Sequence, residues 1–348
     1  MIIRQFENWP TQFGNSAVAP AGPQRPNLRG AAPKIAAPTT RTAKPSRRRP
    51  PQRVCRANEG TEPDSARGVK IINRQLACLT LLWACAHSAW SQTPSPLQEW
   101  QYSGGLILAR LFQPDLPEWR RIVGAAAEVQ PVYDGSRAYR LQGGPVVNIQ
   151  YRDIAFVSTG EGIGYNFLRG DHYRVGAAIS YDLGRRVKDD ITNLHGMGDI
   201  SPAPAAKLFA SLVLSRKFPL ILRTDVRQLV GGANGTVGDV GVYMPLPGSS
   251  KKFVMFAGPS ITLATHRYLQ SEFGVTPAQS LASGHPAFDP HAGTAAVGVG
   301  FSATRFLTDH WLLNLDSALS RLKGSPDVSP ILERRTQRVL VLSASYLW

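Results

Sequence analysis

HYRVGAAISYD, residues 172–182, decides how this 348-residue chain is to be read. Tyr173, Val175, Ala177, Ile179 and Tyr181 alternate with His172, Arg174, Gly176, Ala178, Ser180 and Asp182. Successive side chains of a β-strand point to opposite faces, so this period of two gives one apolar row and one polar or small row. A helix would need its apolar residues three and four apart. The same alternation recurs on both sides. Leu220, Leu222, Thr224 and Val226 oppose Ile221, Arg223, Asp225 and Arg227. Pro145, Val147, Ile149 and Tyr151 oppose Asn148, Gln150 and Arg152. Trp311, Leu313, Leu315 and Leu319 oppose His310, Asn314 and Asp316.

A soluble sandwich alternates as well, so three further features matter. The segments run to about ten residues, the length of a tilted strand that crosses a bilayer. Tyr151, Tyr173, Tyr181, Trp311, Tyr346 and Trp348 fall near segment ends, where lipid headgroups favour aromatic rings. Small residues such as Gly298, Gly300 and Ser302 recur on the polar face. No apolar stretch beyond residue 92 reads as a membrane helix, and a closed barrel is the other way to satisfy every backbone group in lipid. The pattern therefore predicts an all-β, transmembrane, antiparallel up-and-down barrel over residues 121–348. Strands are expected near 121–131, 138–151, 152–159, 161–168, 171–182, 203–215, 218–229, 236–246, 252–264, 292–306, 309–320 and 337–348. That is twelve, an even number as in single-chain bacterial barrels. Ten is the alternative if the short pieces at 152–168 are not separate strands.

The alternation places Arg152, Arg174, Asp182, Arg223, Asp225, Arg227 and Asp316 in the lumen. Charges removed from bulk water need partners or an aqueous path. A paired network across a plugged lumen and a water-filled channel both fit the spacing. In the last segment Leu340, Leu342, Ala344, Tyr346 and Trp348 are expected to face lipid and to form the signal read by the barrel assembly machinery. Arginine at Val341 is expected to cost little, because it would enter a polar lumen.

The first ninety residues have a different character. The net charge is +15, but residues 1–91 carry 14 of the 39 Lys/Arg and only 4 of the 24 Asp/Glu. Residues 1–68, with the run Pro45-Ser46-Arg47-Arg48-Arg49-Pro50-Pro51, are expected to be a disordered basic extension, upstream of a mis-assigned start. A nucleic-acid arm is the competing reading of that charge; no nucleic-acid partner is expected. Residues 69–91 read as a signal peptide: Lys70 and Arg74, then apolar Leu76 to Ala86, then Ser88 or Ser91 at the cleavage site. Val69, which a GUG start codon would specify, is taken as the true first residue. Residues 92–120 form an N-terminal segment of the mature chain. All three cysteines, Cys55, Cys78 and Cys85, lie before residue 92, which leaves the rest without disulfide or thiolate chemistry.

Catalytic arrangements are not apparent. His172, His266, His285, His291 and His310 sit at segment ends, and there is no G-x-S-x-G elbow to pair with them. Asp189-Asp190 follows Arg185-Arg186-Val187-Lys188 and reads as charge balance in a loop. Gly160-Glu161-Gly162-Ile163-Gly164 has no helix after it, so it reads as a tight hairpin and not as a phosphate loop. His285 and His291 flank Asp289 without a second cluster of metal ligands. No enzyme activity, cofactor or metal is expected.

Four ordered blocks carry a resemblance to a known family. They are Pro131-Val132-Tyr133-Asp134-Gly135-Ser136, Leu194-His195-Gly196-Met197-Gly198-Asp199-Ile200, Phe273-Gly274-Val275-Thr276-Pro277-Ala278-Gln279-Ser280 and Ser329-Pro330-Ile331. In these blocks the chain resembles the MltA-interacting protein (MipA/OmpV) family over roughly residues 121–348. The resemblance marks Gly135, Ser136, Gly196, Gly198, Asp199, Phe273, Gly274, Thr276, Ser329 and Pro330 as motif positions in loops. It implies an outer-membrane protein surrounded by lipid, acting as a scaffold between a murein transglycosylase and a murein synthase. It supplies no catalytic residues. A small-solute channel is the alternative that the inward charges keep open.

Overall fold

A computed structural model describes residues 118–348, except 171, 216–219, 251 and the side chain of Ser215. The expectations for the basic extension, the signal peptide and nearly all of residues 92–120 lie outside the described residues. Twelve antiparallel strands close into one ring, each paired with its sequence neighbours. They are β1 (Trp119–Pro131), β2 (Tyr139–Tyr151), β3 (Ala155–Ser158), β4 (Gly162–Arg169), β5 (Tyr173–Asp182) and β6 (Ala203–Ser215). The second half is β7 (Leu220–Leu229), β8 (Thr236–Pro245), β9 (Phe253–Ala264), β10 (Gly293–Phe306), β11 (Trp311–Leu322) and β12 (Thr336–Leu347). The strand count and phases agree with the sequence pattern, and β1 begins two residues earlier than expected. The ring closes where β1 meets β12, from Ile122 opposite Leu347 to Val129 opposite Leu340.

Alternation becomes a division between outside and inside. On β12, Leu340 and Leu342 are 46% and 55% exposed, whereas Val339 and Val341 are 4% and 1% exposed. Leu141, Ile163, Ile179, Leu208, Val226, Val299 and Leu319 continue the exposed apolar belt around the ring. Monomers in water rarely leave so much contiguous apolar surface bare; a bilayer would cover it. No described helix is long and apolar enough to cross a membrane. Exposed Trp119, Tyr173, Trp311 and Trp348 ring the end that carries the short turns. Trp311 and Trp348 each pack edge-on against Tyr346.

The lumen is packed, which corrects one expectation. Inward-facing Val341 lies in an apolar cluster with Val339, Ala126, Ala318, Phe256 and Ile221. Phe256 and Ile221 have no exposed surface. Twelve strands form a barrel narrow enough for side chains from opposite walls to meet. Arginine at Val341 would therefore overpack a filled space, and the low cost expected for it does not hold. A second correction concerns Arg152. It lies in the β2–β3 turn with φ 46°, and its side chain reaches exposed Glu118 at 2.9 Å. Positive φ at Arg152 and Asp153 breaks the alternation there, so Arg152 points away from the lumen.

The three longest connections, 183–202, 265–292 and 323–335, gather at one end, and no connection at the other end exceeds the seven residues of 246–252. The long-connection end carries loops 132–138, 183–202, 230–235, 265–292 and 323–335. Because β3 and β4 are short, β2 pairs with β3 only from Asn148 to Tyr151. Above that level Arg140 of β2 is met by Asp189 from loop 183–202, at 3.1 Å.

Leu342→Arg should destabilise the barrel by about 2–4 kcal/mol if its side chain sits at mid-membrane depth. Leu342→Ala should cost much less. Urea unfolding in lipid vesicles, followed by tryptophan fluorescence, measures both; equal stability of the two variants would contradict the outward phase of β12.

Candidate functional site

The four motif blocks all fall in loops at the long-connection end, and those loops fold together into a cap. Tyr133 and Val132 from the first block pack with Leu194 and Met197 from the second, Val275 from the third and Ile331 from the fourth. Polar groups join the same four pieces. Ile331 O accepts from Tyr133 Oη at 3.1 Å and from Asn193 Nδ2 at 2.8 Å. Ser329 Oγ donates to Phe273 O at 2.6 Å. Val275 and Phe288 exchange two backbone hydrogen bonds, each 2.8 Å.

Each motif position has a local reason for its residue type. Gly135 adopts φ 104°, a conformation that only glycine takes at no cost, and its carbonyl accepts from the backbone of Glu333 and Arg334. Ser136 Oγ accepts from Ala138 N at 3.0 Å and donates to Glu333. At Gly196, φ is 75° and a Cβ would come within 2.6 Å of the Ala282 backbone. Gly198, φ 77°, turns the chain so that Asp199 can accept from Val187 N at 2.7 Å. Pro330 opens a turn closed by Leu332 N donating to Ser329 O at 3.1 Å, a position for which its ring presets φ.

Three short helices complete the cap: α1 (Ile191–Leu194), α2 (His266–Phe273) and α3 (Pro277–Ser283). Thr276 caps α3 through a reciprocal box with Gln279, Pro277 opens it, and Gly284 ends it at φ 81°. Gly274 links α2 to that cap. One face of α2 buries Tyr268, Leu269, Glu272 and Phe273. Tyr268, Leu269 and Phe273 pack on Leu229, Val237, Ala264, Ala296 and Leu322, which are the inward residues at the strand ends. The helix thus sits in the mouth of the barrel.

Beneath the cap lies a buried charged cluster. Arg185 is 1% exposed and donates from Nη1 to Glu272 O at 2.6 Å. Burial pushes the Glu272 carboxyl up to about 8; Arg185 opposes the shift and Asp182 and Asp134 reinforce it. Burial and then Asp182 push Asp134 up to about 7, again against Arg185. Burial pulls the Arg185 guanidinium below its ordinary value, and Glu272 props it up. Asp182, expected in the lumen, joins this cluster at the mouth.

The remaining lumen arginines are paired with acids. Arg223 meets Glu161 from the β3–β4 hairpin, and Arg227 meets both Asp225, at 3.0 Å, and Asp239. Thr262 Oγ1 donates to Asp239 at 2.5 Å. Arg174 meets Asp153 at 2.6 Å near the short-turn end. Asp316 is 1% exposed and takes a hydrogen bond from Asn314 Nδ2, which is one of its own strand neighbours. The sequence reading missed Glu161, Asp239, Lys207 and Glu128 on the inner face. The hairpin reading of residues 160–164 was sound but hid the carboxylate that it carries inward.

Two of the histidines bind backbone carbonyls. His285 Nε2 contacts Asn193 O at 2.9 Å, and His310 Nδ1 contacts Leu347 O at 3.0 Å. His266 meets Asp289 at 2.6 Å on an exposed surface. Asp189 is shared by Arg140 and Arg186, while Asp190 caps α1, so the two acids form no proton-sharing dyad. No group of three or more potential metal ligands occurs among the described residues.

Raised carboxyl pKa values carry a definite sign. Asp134 and Glu272 bind protons more tightly in the folded cap than in the unfolded chain, where they titrate near 4. Their stabilisation is complete below that value and is lost as pH rises through about 7 to 8. Amides of residues 266–288 should therefore lose hydrogen-exchange protection between about pH 4 and pH 8, after correction for intrinsic rates. Glu272→Gln should flatten that dependence, and an unchanged profile in the variant would refute the assignment.

With this geometry in place, comparison with known proteins adds the following. The family model of MltA-interacting protein MipA matches residues 123–348, well over half of the chain. No curated protein matches in sequence. Among solved structures, the NanC porin is 10% identical, with 64% of this chain and 98% of that one covered, at a TM-score of 0.36. A Pseudomonas aeruginosa FadL homologue is 9% identical, with 74% and 99% covered, at 0.34. The CymD monoaromatic hydrocarbon channel is 11% identical, with 70% and 92% covered, at 0.35. Similarity at that level carries no functional argument.

Proposed function

The chain belongs to the MltA-interacting protein MipA family, and from that premise we propose that it is an outer-membrane barrel acting as a scaffold and not as a conduit. The observation that carries this reading is the filled interior. The apolar cluster around Phe256 and Ile221 occupies the lumen, the inward arginines are neutralised by neighbouring acids, and α2 sits in the mouth. A conducting pore needs a continuous water path lined by polar or charged groups. Binding is then left to the two rims.

In an outer-membrane orientation the long loops face outward and the short turns face the periplasm. The family description names interaction with MltA, and the resemblance implies a murein transglycosylase and a murein synthase as partners. Such partners would meet the short-turn rim, where exposed Trp119, Arg121, Arg152, Arg169 and Trp311 combine aromatic and cationic groups. Aromatic residues and arginine are the side chains most enriched at protein interfaces.

Two measurements test this. Affinity capture of the intact protein from detergent-solubilised envelopes should retain a murein transglycosylase, and Arg121→Ala with Arg152→Ala should lower its recovery. Loss of neither partner nor recovery in the variant would oppose the scaffold reading. Planar bilayers containing the protein should stay silent. Discrete conductance steps altered by Arg223→Ala or Arg227→Ala would establish the channel instead.

A further inference from the structure

The outer wall of β9–β12 and β1 is not a smooth apolar cylinder. It carries a groove of about 570 Å³ that runs from mid-height toward the long-loop rim. Across one row, Ala257 stands opposite Phe301, Phe301 opposite Ser317, Ser317 opposite Leu340 and Leu340 opposite Val129. Small Ala257 and Ser317 leave the floor low, while Phe301, Leu340 and Val129 raise its sides. Val299 and Leu319 continue it one row nearer the rim.

At its rim the groove meets Arg334 and Arg338, and these same two residues line a second, polar pocket of about 680 Å³. Thr336 adds a hydroxyl there, whereas the Ser329 hydroxyl is already donated to Phe273 O. The acids in that pocket are already engaged: Asp327 with Arg335 at 2.5 Å, and Glu333 with Arg137 N at 2.9 Å. Among the described residues neither the Arg334 nor the Arg338 guanidinium has a carboxylate partner. The Arg338 backbone is fixed by donating to Tyr139 Oη at 3.1 Å. An apolar groove thus opens into a polar pocket, with two unpaired guanidinium groups at the junction.

We propose that this surface binds a phosphorylated, multiply acylated glycolipid, with acyl chains in the groove and a sugar phosphate on Arg334 and Arg338. Charge complementarity selects the head: guanidinium groups match phosphate oxygens in paired hydrogen bonds. The polar pocket beyond them has room for sugar and the Thr336 hydroxyl to meet it. Depth selects the class. The groove ends at the long-loop rim, which is the outer-leaflet headgroup level in the orientation proposed above, and phosphorylated glycolipids occupy that leaflet. The proposal rests on that orientation.

The test uses the full chain in detergent with purified diphosphoryl lipid A as probe, read by native mass spectrometry. Sucrose-gradient fractionation of cells separately locates the protein, so a wrong membrane assignment and a wrong lipid site give different failures. Arg334→Gln with Arg338→Gln should weaken lipid A binding about tenfold or more, as expected for loss of charge-assisted hydrogen bonds. Ser317→Phe, which fills the groove from the lipid side, should do the same with the arginines intact. Arg267→Gln, an exposed cation in another loop at the same end, should change nothing. Heat-modifiable gel mobility verifies that each variant is folded. Equal binding by the double variant and the wild type overturns the proposal. So does an equal loss in Arg267→Gln, which would indicate diffuse charge attraction. Phosphatidylglycerol binding as tightly as lipid A would overturn the glycolipid assignment.

Discussion

The constraint on which everything else depends is that a sheet placed in lipid cannot have an edge. Each unsatisfied backbone N–H or C=O in hydrocarbon costs several kcal/mol, so the first and last strands must find each other. They do so over the eight residue pairs from Ile122–Leu347 to Val129–Leu340. This contact is the most distant in sequence among the strand pairs, and it fixes the register of the whole ring. Once β12 is locked to β1, the outward rows of all twelve strands become one apolar belt. Where β3 and β4 are too short to give β2 a full-length neighbour, loop 183–202 brings Asp189 to Arg140 instead.

Closure at this strand number has a second consequence. The interior is narrow enough for opposing side chains to touch, so inward does not mean wet. Phe256, Ile221 and Val341 are as dry as any globular core, although each follows the period that elsewhere selects polar residues. The ionised groups survive there because they are neutralised in place: Arg223 by Glu161, and Arg227 by Asp225 and Asp239. A buried pair of this kind is weak evidence for stability, since desolvation offsets much of the attraction. Its clearest effect is to penalise slippage of register. A one-residue slip would send Arg223 and Arg227 into the apolar belt.

Most of the wall was legible in the sequence because a period of two has a single geometric meaning once one face is apolar. Tyr173 to Asp182, Leu220 to Arg227 and Leu340 to Leu342 fall in the phases that the alternation demands. Arg152 failed because the alternation was extended through a turn, where positive φ at two successive residues resets the side-chain direction. Val341 failed for another reason: chemistry was assigned to a whole face, although filling of the lumen varies with height. Glu161, Asp239, Lys207 and Glu128 were passed over because no single alternating segment brought them forward. Contacts across the lumen are invisible to a local pattern. The loop blocks were recognised as motifs, but their convergence was not. Thr276-Pro277-Ala278-Gln279 followed by Gly284 does carry the signal of a capped helix, and that signal marks α3.

The cap explains why loops of this barrel hold such particular residues. A loop on a wall that is already closed can vary freely, because the ring satisfies its own backbone. Here the loops instead satisfy one another. The Ile331 carbonyl serves both Tyr133 and Asn193, Ser329 serves Phe273, and Gly135 serves Glu333 and Arg334. Changing the fourth block takes an acceptor from Tyr133 and from Asn193 and a donor from the Phe273 carbonyl, at about 1–3 kcal/mol each. The same interlock brings Arg185, Glu272 and Asp134 out of water together, so the charge balance of the cap depends on all the loops being seated. A mouth held shut by mutual hydrogen bonding and by α2 packed on the inner wall leaves the barrel's outer wall and its two rims as the surfaces open to another molecule.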